Sequence, residues 1–171
     1  KGNMPKDLKE VVLTLGAFML KLDGLGENIE ENKKKLNENI ENGKGFKKLL
    51  QLVKNQGGDI SYLENIDKFP KAKYEYEILA KEDGYISKLS AKNIGKIACY
   101  LGAGREKKDD IIDNSVGIVL NKKVGDLVKK DEAIARIYAD DSEKLKEAIS
   151  KFDEVYEVSK NKIDSKIILD I

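Results

Sequence analysis

The sequence predicts an α+β fold in which an N-terminal helical segment is followed by a mostly β domain. Up to residue 70 the apolar residues recur every three or four positions, which is the period of an amphipathic helix. From Tyr74 the period changes to two, as expected for a half-buried strand, and short apolar runs then alternate with glycine turns. This pattern indicates a small barrel or sandwich that includes one further helix.

The composition excludes several chemistries. The chain has 171 residues, with 32 Lys plus Arg and 31 Asp plus Glu, so its net charge of +1 argues against a nucleic-acid or membrane partner. Without histidine, no histidine-based triad or histidine metal site can form. The one cysteine, Cys99, cannot form an internal disulfide and fits a reducing, cytoplasmic compartment. No apolar run approaches the roughly 20 residues that span a bilayer.

The first predicted helix lies between Pro5 and Gly24. Pro5 suits the first turn of a helix, and Gly24 suits a left-handed cap at its end. Between them runs an apolar stripe at spacings of three and four, so we expect this helix to pack in a core. The stripe consists of Leu8, Val11, Val12, Leu15, Phe18, Met19 and Leu22.

The next two predicted helices are more polar. The stretch 27–42 is rich in Glu, Asn and Lys, which is typical of a surface helix. Its one narrow apolar edge consists of Ile29, Leu36 and Ile40, and the third helix carries Phe46, Leu49, Leu50, Leu52 and Val53. Gln56-Gly57-Gly58-Asp59 then either terminates the third helix, with Asp59 capping a turn at 61–66, or forms a backbone nest for an anion.

Phe69-Pro70 ends the helical part, because the residue before a proline is driven to an extended conformation. We therefore place a domain boundary near 69–73, between a helical segment (1–70) and a β-rich domain (71–171). About 70 residues of helix alone would bury little core, so we expect this segment to pack against chain that lies ahead of Lys1. The β-rich domain is predicted to contain strands at 74–78, 85–89, 96–101, 116–120, 133–138, 155–158 and 167–169, with a helix capped by Ser142.

The most pointed local signal for a binding site is Leu101-Gly102-Ala103-Gly104-Arg105. Glycines allow backbone N–H groups to approach a ligand, and Arg105 could hold phosphate or carboxylate with two hydrogen bonds. The run lacks the complete G-x-G-x-x-G pattern and the Gly-Lys-Ser/Thr ending of a P-loop. It is therefore either a ligand loop or a mobile turn with a surface arginine.

Two further groups of residues have a structural and a functional interpretation. Asp109, Asp110 and Asp113 do not have the spacing of a calcium loop, so we expect helix capping and solvated charge rather than a metal site. Cys99 falls in the strand predicted at 96–101, where a buried and inert thiol is expected. A catalytic cysteine would need an activating base, and the chain has no histidine to provide one.

The region from Gly117 to Ile137 resembles the biotinyl and lipoyl carrier domains, which are barrel-sandwich folds. The resemblance lies in Val124-Gly125-Asp126 and the charged turn and strand that follow it. A carrier displays a modifiable lysine on a tight hairpin, flanked by methionines in the biotinyl case. Lys122-Lys123 sits on a turn, but the only methionines, Met4 and Met19, are far away. The resemblance therefore supports the architecture more than a carrier function.

Several segments together resemble, in order and spacing, the C-terminal portion of the pyrimidine-nucleoside phosphorylases. These segments are Asp7-Leu8, Leu13-Thr14-Leu15-Gly16-Ala17, Gln56-Gly57-Gly58-Asp59, Ala80-Lys81-Glu82-Asp83-Gly84-Tyr85-Ile86, Leu101-Gly102-Ala103-Gly104-Arg105, Asp109, Ile112-Asp113, Val116-Gly117-Ile118 and Lys123-Val124-Gly125-Asp126. Thymidine phosphorylases share the pattern with more variation, and anthranilate phosphoribosyltransferases share only the front half of the family's chain. The resemblance implies that 71–171 is an α/β hammerhead domain of barrel-sandwich type and that 1–70 is the end of the central α/β domain.

The resemblance also implies an activity. The family cleaves uridine, thymidine or deoxyuridine with phosphate, releasing the free base and (deoxy)ribose 1-phosphate, as a homodimer whose domains close over a cleft. Its glycine-rich phosphate segment, its base-recognition set and its potassium ligands lie in the front part of the enzyme, which we expect to precede Lys1. We therefore carry over no catalytic residue and no cofactor to this chain, and expect it to be inactive alone.

The partners implied are the missing N-terminal part of the same enzyme and, in the whole enzyme, phosphate and a pyrimidine nucleoside. We expect Gly102, Ala103, Gly104 and Arg105 to face the cleft between the domains and to help the closed state form. Two alternatives remain open at this point: a biotinyl/lipoyl-like carrier, and a stand-alone interaction domain in which the helical segment binds a partner.

Overall fold

A computed structural model describes residues 3–164 and 167–168 of the chain. The chain divides into two compact units, one comprising Lys1–Lys68 with Lys166–Ile171 and the other comprising Phe69–Ser165. The second unit begins at Phe69, at the edge of the boundary that the sequence predicts at 69–73. Within the described residues, every helix is too short or too polar to cross a bilayer.

The first unit is helical, as the 3.6-residue period predicts. Its helices are α1 (Lys6–Leu22), α2 (Ile29–Glu41), α3 (Lys44–Asn55) and α4 (Ser61–Glu64), followed by a 3₁₀ turn at Ile66–Lys68. Gly24 follows α1 with φ +73°, the left-handed conformation expected of it. Asn28 caps α2, where its side-chain oxygen accepts hydrogen bonds from the N–H groups of Glu30 (2.9 Å) and Glu31 (3.2 Å).

A buried asparagine joins α1 to α2. Asn32 is fully buried, and its Nδ2 donates to the carbonyl oxygens of Gly26 (2.7 Å) and Ala17 (3.2 Å). The backbone of α1 comes close to α2 at Gly16, where a Cβ would stand 2.7 Å from Leu36 Cδ1. The polar composition of 27–42 does not predict this contact, because a polar side chain is buried only where the fold supplies hydrogen-bond partners for it.

The expectation that the apolar stripe of α1 lies in a core is wrong for much of the stripe. Leu15 and Met19, at its centre, are exposed to 61% and 70% of their surface. The residues of α1 that are buried against α2 are Thr14 and Ala17, on the opposite side of the helix. A helix with apolar side chains on two faces needs two neighbours, and α2 covers only one face.

The described residues of the second unit form six strands and two helices, so the α+β class predicted from the sequence is confirmed. The strands are β1 (Tyr74–Leu79), β2 (Gly84–Leu89), β3 (Gly117–Leu120), β4 (Leu127–Val128), β5 (Ala133–Ala139) and β6 (Tyr156–Ser159), and the helices are α5 (Ala91–Ala98) and α6 (Ser142–Phe152). The strands form two antiparallel three-stranded sheets with the orders β1-β5-β3 and β4-β2-β6. Helix α6 lies between the last two strands in the sequence and packs on β5.

Alternation along β5 divides the first sheet into a core face and an outer face. Ile137 pairs with Ile118 of β3 and is fully buried, as expected for the inward face. Its neighbour Arg136 points outward, where its Nε lies 3.0 Å from Glu75 Oε1 and its Nη2 lies 2.5 Å from Glu77 Oε1. The hydrogen bond that Arg136 donates to Glu77 contributes most to raising the pKa of Arg136.

The strand predicted at 96–101 is wrong. These residues form the end of α5 and a five-residue π turn, Cys99–Ala103. The buried residues Ile94, Ile97 and Leu101 recur at spacings of three and four, which is a helical period. The side chain of Ser90 begins the helix by accepting a hydrogen bond from the N–H of Asn93 (3.4 Å). The short apolar run 97–101 satisfies either period, and the period of the flanking residues decides between them.

Two smaller expectations also need correction. The cap of α6 is Asp141 rather than Ser142, because the Asp141 carboxylate accepts from the N–H groups of Glu143 (2.8 Å) and Lys144 (2.9 Å). These two bonds lower the pKa of Asp141. Residues 167–168 lie in a bend and form no strand; the third residue of that predicted strand, Leu169, lies outside the described residues.

Candidate functional site

The candidate loop Gly102-Ala103-Gly104-Arg105 emerges from the π turn that follows α5. Leu101 is buried and anchors the turn in the core. Gly102 then takes φ +115°, in the region where a side chain strains the backbone. A Cβ on Gly104 would stand 3.2 Å from Cys99 Sγ, so the chain also passes close to its own preceding turn. A turn of this kind, ending in a glycine with positive φ, is a common way for a helix to finish, and it fixes where the loop leaves α5.

The segment that follows, residues 105–112, is exposed along its whole length but is closed by its own hydrogen bonds. The carboxylate of Asp110 accepts from the N–H of Glu106 (3.0 Å) and from the N–H of Lys107 (2.8 Å). The sequence predicts helix capping for the acidic set, whereas the structure has a turn and no helix at 105–112, so Asp110 closes a turn. The loop is therefore a compact turn that holds Arg105 at its start and Ile111 near its end.

Asp113 ties the end of this segment back to its beginning. Its N–H donates to the carbonyl oxygen of Gly102 (2.9 Å), and its carboxylate accepts from the N–H (2.9 Å) and the Oγ (2.6 Å) of Ser115. The Ser115 hydroxyl hydrogen bond contributes most to lowering the pKa of Asp113. Ser115 Oγ also lies 3.4 Å from Asp140, whose other oxygen accepts from the N–H of Lys73 (2.7 Å). We call Asp113, Ser115 and Asp140 the loop latch.

Beside the loop lies an open cavity of about 400 Å³. It is lined by Cys99, Tyr100, Gly102, Gly104, Glu106, Asp110, Ile111 and Lys144. The cavity thus combines backbone of the glycine loop with charged side chains of both signs. Cys99 is partly exposed in a π turn, so the expectation of a buried thiol in a strand is wrong.

A cluster on α6 supports the same turn. The hydroxyl of Tyr100 donates to Glu147, which also pairs with Lys151 at 2.6 Å. The ammonium of Lys151 lies 4.4 Å from the centre of the Tyr100 ring, close enough for a cation–π interaction. The hydrogen bond to the Glu147 carboxylate raises the pKa of Tyr100. The cluster of Tyr100, Glu147 and Lys151 and the loop latch both join residues far apart in the sequence, so no local motif predicted either of them.

Arg105 is the one arginine of the loop, and it is exposed. It makes no hydrogen bond or ion pair with the part of the chain that the structure describes, whereas Arg136 is held by two glutamates. Its guanidinium is therefore available to an anionic group outside the described residues.

The three aspartates of the loop do not meet to form a metal site. Asp110 faces the N–H groups of its own turn and Asp113 faces Ser115. In residues 3–164 and 167–168, no group of three or more Cys, Asp or Glu side chains has the arrangement needed to hold a metal ion.

The glycine pair at 57–58 terminates a helix, as one of its two interpretations predicts. Gly57 has φ +78°, and its N–H donates to the carbonyl oxygen of Lys54 (3.0 Å). The N–H of Gly58 donates to the carbonyl oxygen of Val53 (2.9 Å). Asp59 then accepts from the N–H of Ser61 (2.8 Å). Both glycine N–H groups are engaged inside the chain, which argues against an anion nest there.

The geometry at Lys122, the first lysine of the Lys122-Lys123 pair, does not suit a carrier lysine. The ammonium of Lys122 pairs with Glu132 Oε1 at 2.6 Å and donates to the carbonyl oxygen of Leu127 at 2.9 Å. The hydrogen bond from Lys122 also contributes most to lowering the pKa of Glu132. A lysine held in this way does not project from the turn toward a modifying enzyme.

The chain is similar to known enzymes along most of its length. Residues 85–159 match the sequence profile of the pyrimidine nucleoside phosphorylase C-terminal domain. The chain is 45% identical over 157 residues to the pyrimidine-nucleoside phosphorylase of Staphylococcus haemolyticus, covering 92% of this chain and 36% of that protein. It is 45% identical over 151 residues to the pyrimidine-nucleoside phosphorylase of Bacillus subtilis, which covers 88% of this chain and 35% of that protein. It is 47% identical over 143 residues to the pyrimidine-nucleoside phosphorylase of Staphylococcus epidermidis, which covers 84% of this chain and 33% of that protein. The chain therefore spans about a third of the length of these relatives.

Proposed function

Since the chain carries a pyrimidine nucleoside phosphorylase C-terminal domain, we propose that it is the C-terminal part of an enzyme that cleaves pyrimidine nucleosides with inorganic phosphate. The observation that carries this proposal is the 45% identity over 92% of the chain to a pyrimidine-nucleoside phosphorylase. The substrates are uridine, thymidine or deoxyuridine, and the products are the free base and the pentose 1-phosphate. The whole enzyme is a cytoplasmic homodimer that transfers a pentosyl group to phosphate.

The chemistry requires more than the described residues offer. A phosphate oxygen forms a bond to C1′ of the sugar while the bond from C1′ to the base nitrogen breaks, which leaves the electron pair on the base. The enzyme must hold the phosphate anion and stabilise the negative charge that develops on the base. In the described part of the chain, the exposed and unpaired Arg105 beside the glycine loop is the main candidate for an anion contact. We therefore assign the binding of phosphate, base and potassium to the part of the enzyme outside this chain.

The role of the 102–105 loop in the whole enzyme is to help the cleft close. The loop is held at both ends, by Leu101 in the core and by the loop latch, so little ordering entropy is lost when Arg105 meets an anionic partner across the cleft. Arg105 is exposed and forms no ion pair with residues 3–164 or 167–168. An arginine that acts across a cleft must be exposed in this way while the cleft is open.

The test of the function compares this chain alone with the same chain fused behind the front two-thirds of the Bacillus subtilis phosphorylase. Each protein is incubated with uridine, thymidine or deoxyuridine and inorganic phosphate, and the free base is measured. We expect base release from the fusion and none from the chain alone. Cleavage by the chain alone would refute the assignment of binding groups, and a folded dimeric fusion without activity would refute the function.

The test of the loop uses Arg105→Ala in the active fusion, with Lys108→Ala on the same exposed segment as the matched control. Losing a charge-assisted hydrogen bond costs about 1.5–3 kcal/mol, so kcat/KM should fall by about tenfold or more in Arg105→Ala. Lys108→Ala should change kcat/KM little, because its exposed charge is screened by solvent. Equal kinetics of the two variants would remove Arg105 from cleft closure.

A further inference from the structure

Asp140 holds the point at which the chain enters the second unit. It follows β5 directly, and its Oδ1 accepts a hydrogen bond from the N–H of Lys73 (2.7 Å), the residue before β1. The second unit begins at Phe69, so residues 69–73 carry the chain from the helical unit to the first sheet. We call residues 69–73 the entry segment. Asp140 therefore fastens the end of the entry segment to the end of the central strand of that sheet.

The second carboxylate oxygen of Asp140 faces the rest of the loop latch. Its Oδ2 lies 3.4 Å from Ser115 Oγ, and Ser115 Oγ donates to Asp113 at 2.6 Å. The N–H of Asp113 donates in turn to the carbonyl oxygen of Gly102 (2.9 Å), three residues before Arg105. A continuous path of hydrogen bonds thus leads from the entry segment to the glycine loop, and Asp140 is its connection to the entry segment.

The contact between Asp140 and Ser115 is the weakest step of this path. A hydroxyl has one hydrogen, and sharing it between two carboxylates leaves the longer contact, the one with Asp140, the weaker. The alignment of Asp140 with Ser115 is therefore set mainly by the bond that holds the other carboxylate oxygen, which comes from the N–H of Lys73. A displacement of the entry segment that breaks this bond removes one support of the latch.

We propose that Asp140 is a positioning residue for the loop that carries Arg105, and that it makes the order of this loop depend on the entry segment. The proposal rests on the proposed function and deepens it, because it names the residue through which the boundary between the units acts on the loop. An arginine that is already in position loses less ordering entropy when it meets an anionic partner. Asp140 touches no substrate in this role and acts through Ser115 and Asp113.

An arginine-specific protease tests the proposal in the full chain, because the chain has two arginines with different surroundings. Arg105 is exposed in the loop, whereas Arg136 lies in the central strand of its sheet, where cleavage requires unfolding. Asp140→Ala should speed cleavage after Arg105 by about fivefold. Asp140→Asn should be cleaved there no faster than the wild type, because its amide can accept from Lys73 and donate to Ser115.

The next residue, Asp141, provides the matched control. Its carboxylate belongs to the same turn but accepts from the N–H groups of Glu143 and Lys144, so it caps α6 and lies outside the path. Asp141→Ala should speed cleavage only after Arg136, because it weakens the unit and leaves the latch intact.

Two results of this digest would overturn the proposal. One is an unchanged rate of cleavage after Arg105 in Asp140→Ala, and the other is an equal acceleration there by Asp141→Ala. If Asp140→Ala does not fold, Ser115→Ala interrupts the path at the next residue and is read in the same way.

A change in the entry segment tests the second half of the proposal. Pro70→Gly makes the backbone of this segment more flexible without touching the latch. It should speed cleavage after Arg105 in the wild-type chain and have no further effect in the Asp140→Ala chain. The same acceleration in both chains, or none in either, would show that Asp140 does not connect the entry segment to the loop.

Kinetics of the active fusion then separate positioning from a general loss of structure. Asp140→Ala should lower kcat/KM severalfold, Asp140→Asn should restore it, and Asp140→Ala should lower it no further when Arg105→Ala is already present. A further loss in the double variant would contradict an action through Arg105. Because the digest needs no activity, an inactive fusion would refute the proposed function alone, and an active fusion with an unchanged digest would refute this proposal alone.

Discussion

Phe152 is the largest fully buried side chain of the second unit, and its truncation should have a large effect on stability. It is the last residue of α6, none of its surface is exposed, and its ring centre lies 6.1 Å from that of Tyr156. Phe152→Ala removes the transfer free energy of the ring and leaves a cavity, which together cost about 3–5 kcal/mol. Domains are stable by only about 5–15 kcal/mol in total, so this is a large fraction of what the unit has.

Urea unfolding followed by tyrosine fluorescence measures this effect in the second unit. The chain has no Trp and seven Tyr, and all of these except Tyr62 lie in Phe69–Ser165, so the signal comes mainly from that unit. With a denaturant slope of about 1–3 kcal/mol per molar, the midpoint should fall by roughly 2 M while the slope stays unchanged.

Two control variants give the scale. Phe152→Leu keeps most of the volume and should cost less than about 1.5 kcal/mol. Phe46→Ala truncates a ring of α3 that is 41% exposed and should shift the midpoint little. If Phe152→Ala unfolded at the same urea concentration as Phe46→Ala, the reasoning that places Phe152 at the centre of the core would be refuted.

Three further predictions concern individual contacts. Gly102→Ala places a side chain at φ +115°, which should cost about 1–3 kcal/mol of stability in the urea assay and speed tryptic cleavage after Arg105. Gly95→Ala, inside α5 with open space around its Cβ, should instead stabilise the protein by about 0.5–1 kcal/mol in the same assay. Asp141→Ala removes the cap of α6 and should lower the urea midpoint at neutral pH. Because the hydrogen bonds from Lys144 and Glu143 lower the pKa of Asp141, the wild type should lose this advantage as the pH falls through that lowered pKa, below the ordinary 3.8. A difference between the two urea midpoints that stayed constant over this pH range would contradict the assignment. Asn32→Ala removes the buried side-chain donor to the carbonyl oxygens of Ala17 and Gly26 and should cost about 1–3 kcal/mol. It should speed amide hydrogen exchange in α2 but not in α6, which serves as the internal control.

Expectations that rest on local periodicity agree best with the structure. Repeats of three and four residues predict α1, α2 and α3, and the alternation from Tyr74 predicts β1, because each pattern reflects which side of a helix or strand is apolar. The strand wrongly predicted at 96–101 falls where a short apolar run fits both periods and where Gly102 adds a positive φ that composition does not reveal. The same ambiguity misplaced Cys99, which the structure puts in a partly exposed turn.

The candidate site was predictable only in part. Glycines followed by an arginine point to the 102–105 loop, but its rigidity comes from Asp113, Ser115 and Asp140. Ser115 and Asp140 are 25 residues apart, so no motif contains both. Whether a charged side chain is paired also depends on the fold, which leaves Arg105 exposed and places Lys122 beside Glu132.

Patterns among neighbouring residues were enough to predict most of the helices and strands, the α+β class and the resemblance to a family. Which apolar faces are covered became visible only in the folded chain. The fold leaves Leu15 and Met19 of α1 exposed, buries Asn32 and ties both ends of the candidate loop. The physical reason is that a local pattern shows which face of an element is apolar, whereas burial depends on whether another element, distant in sequence, packs against that face.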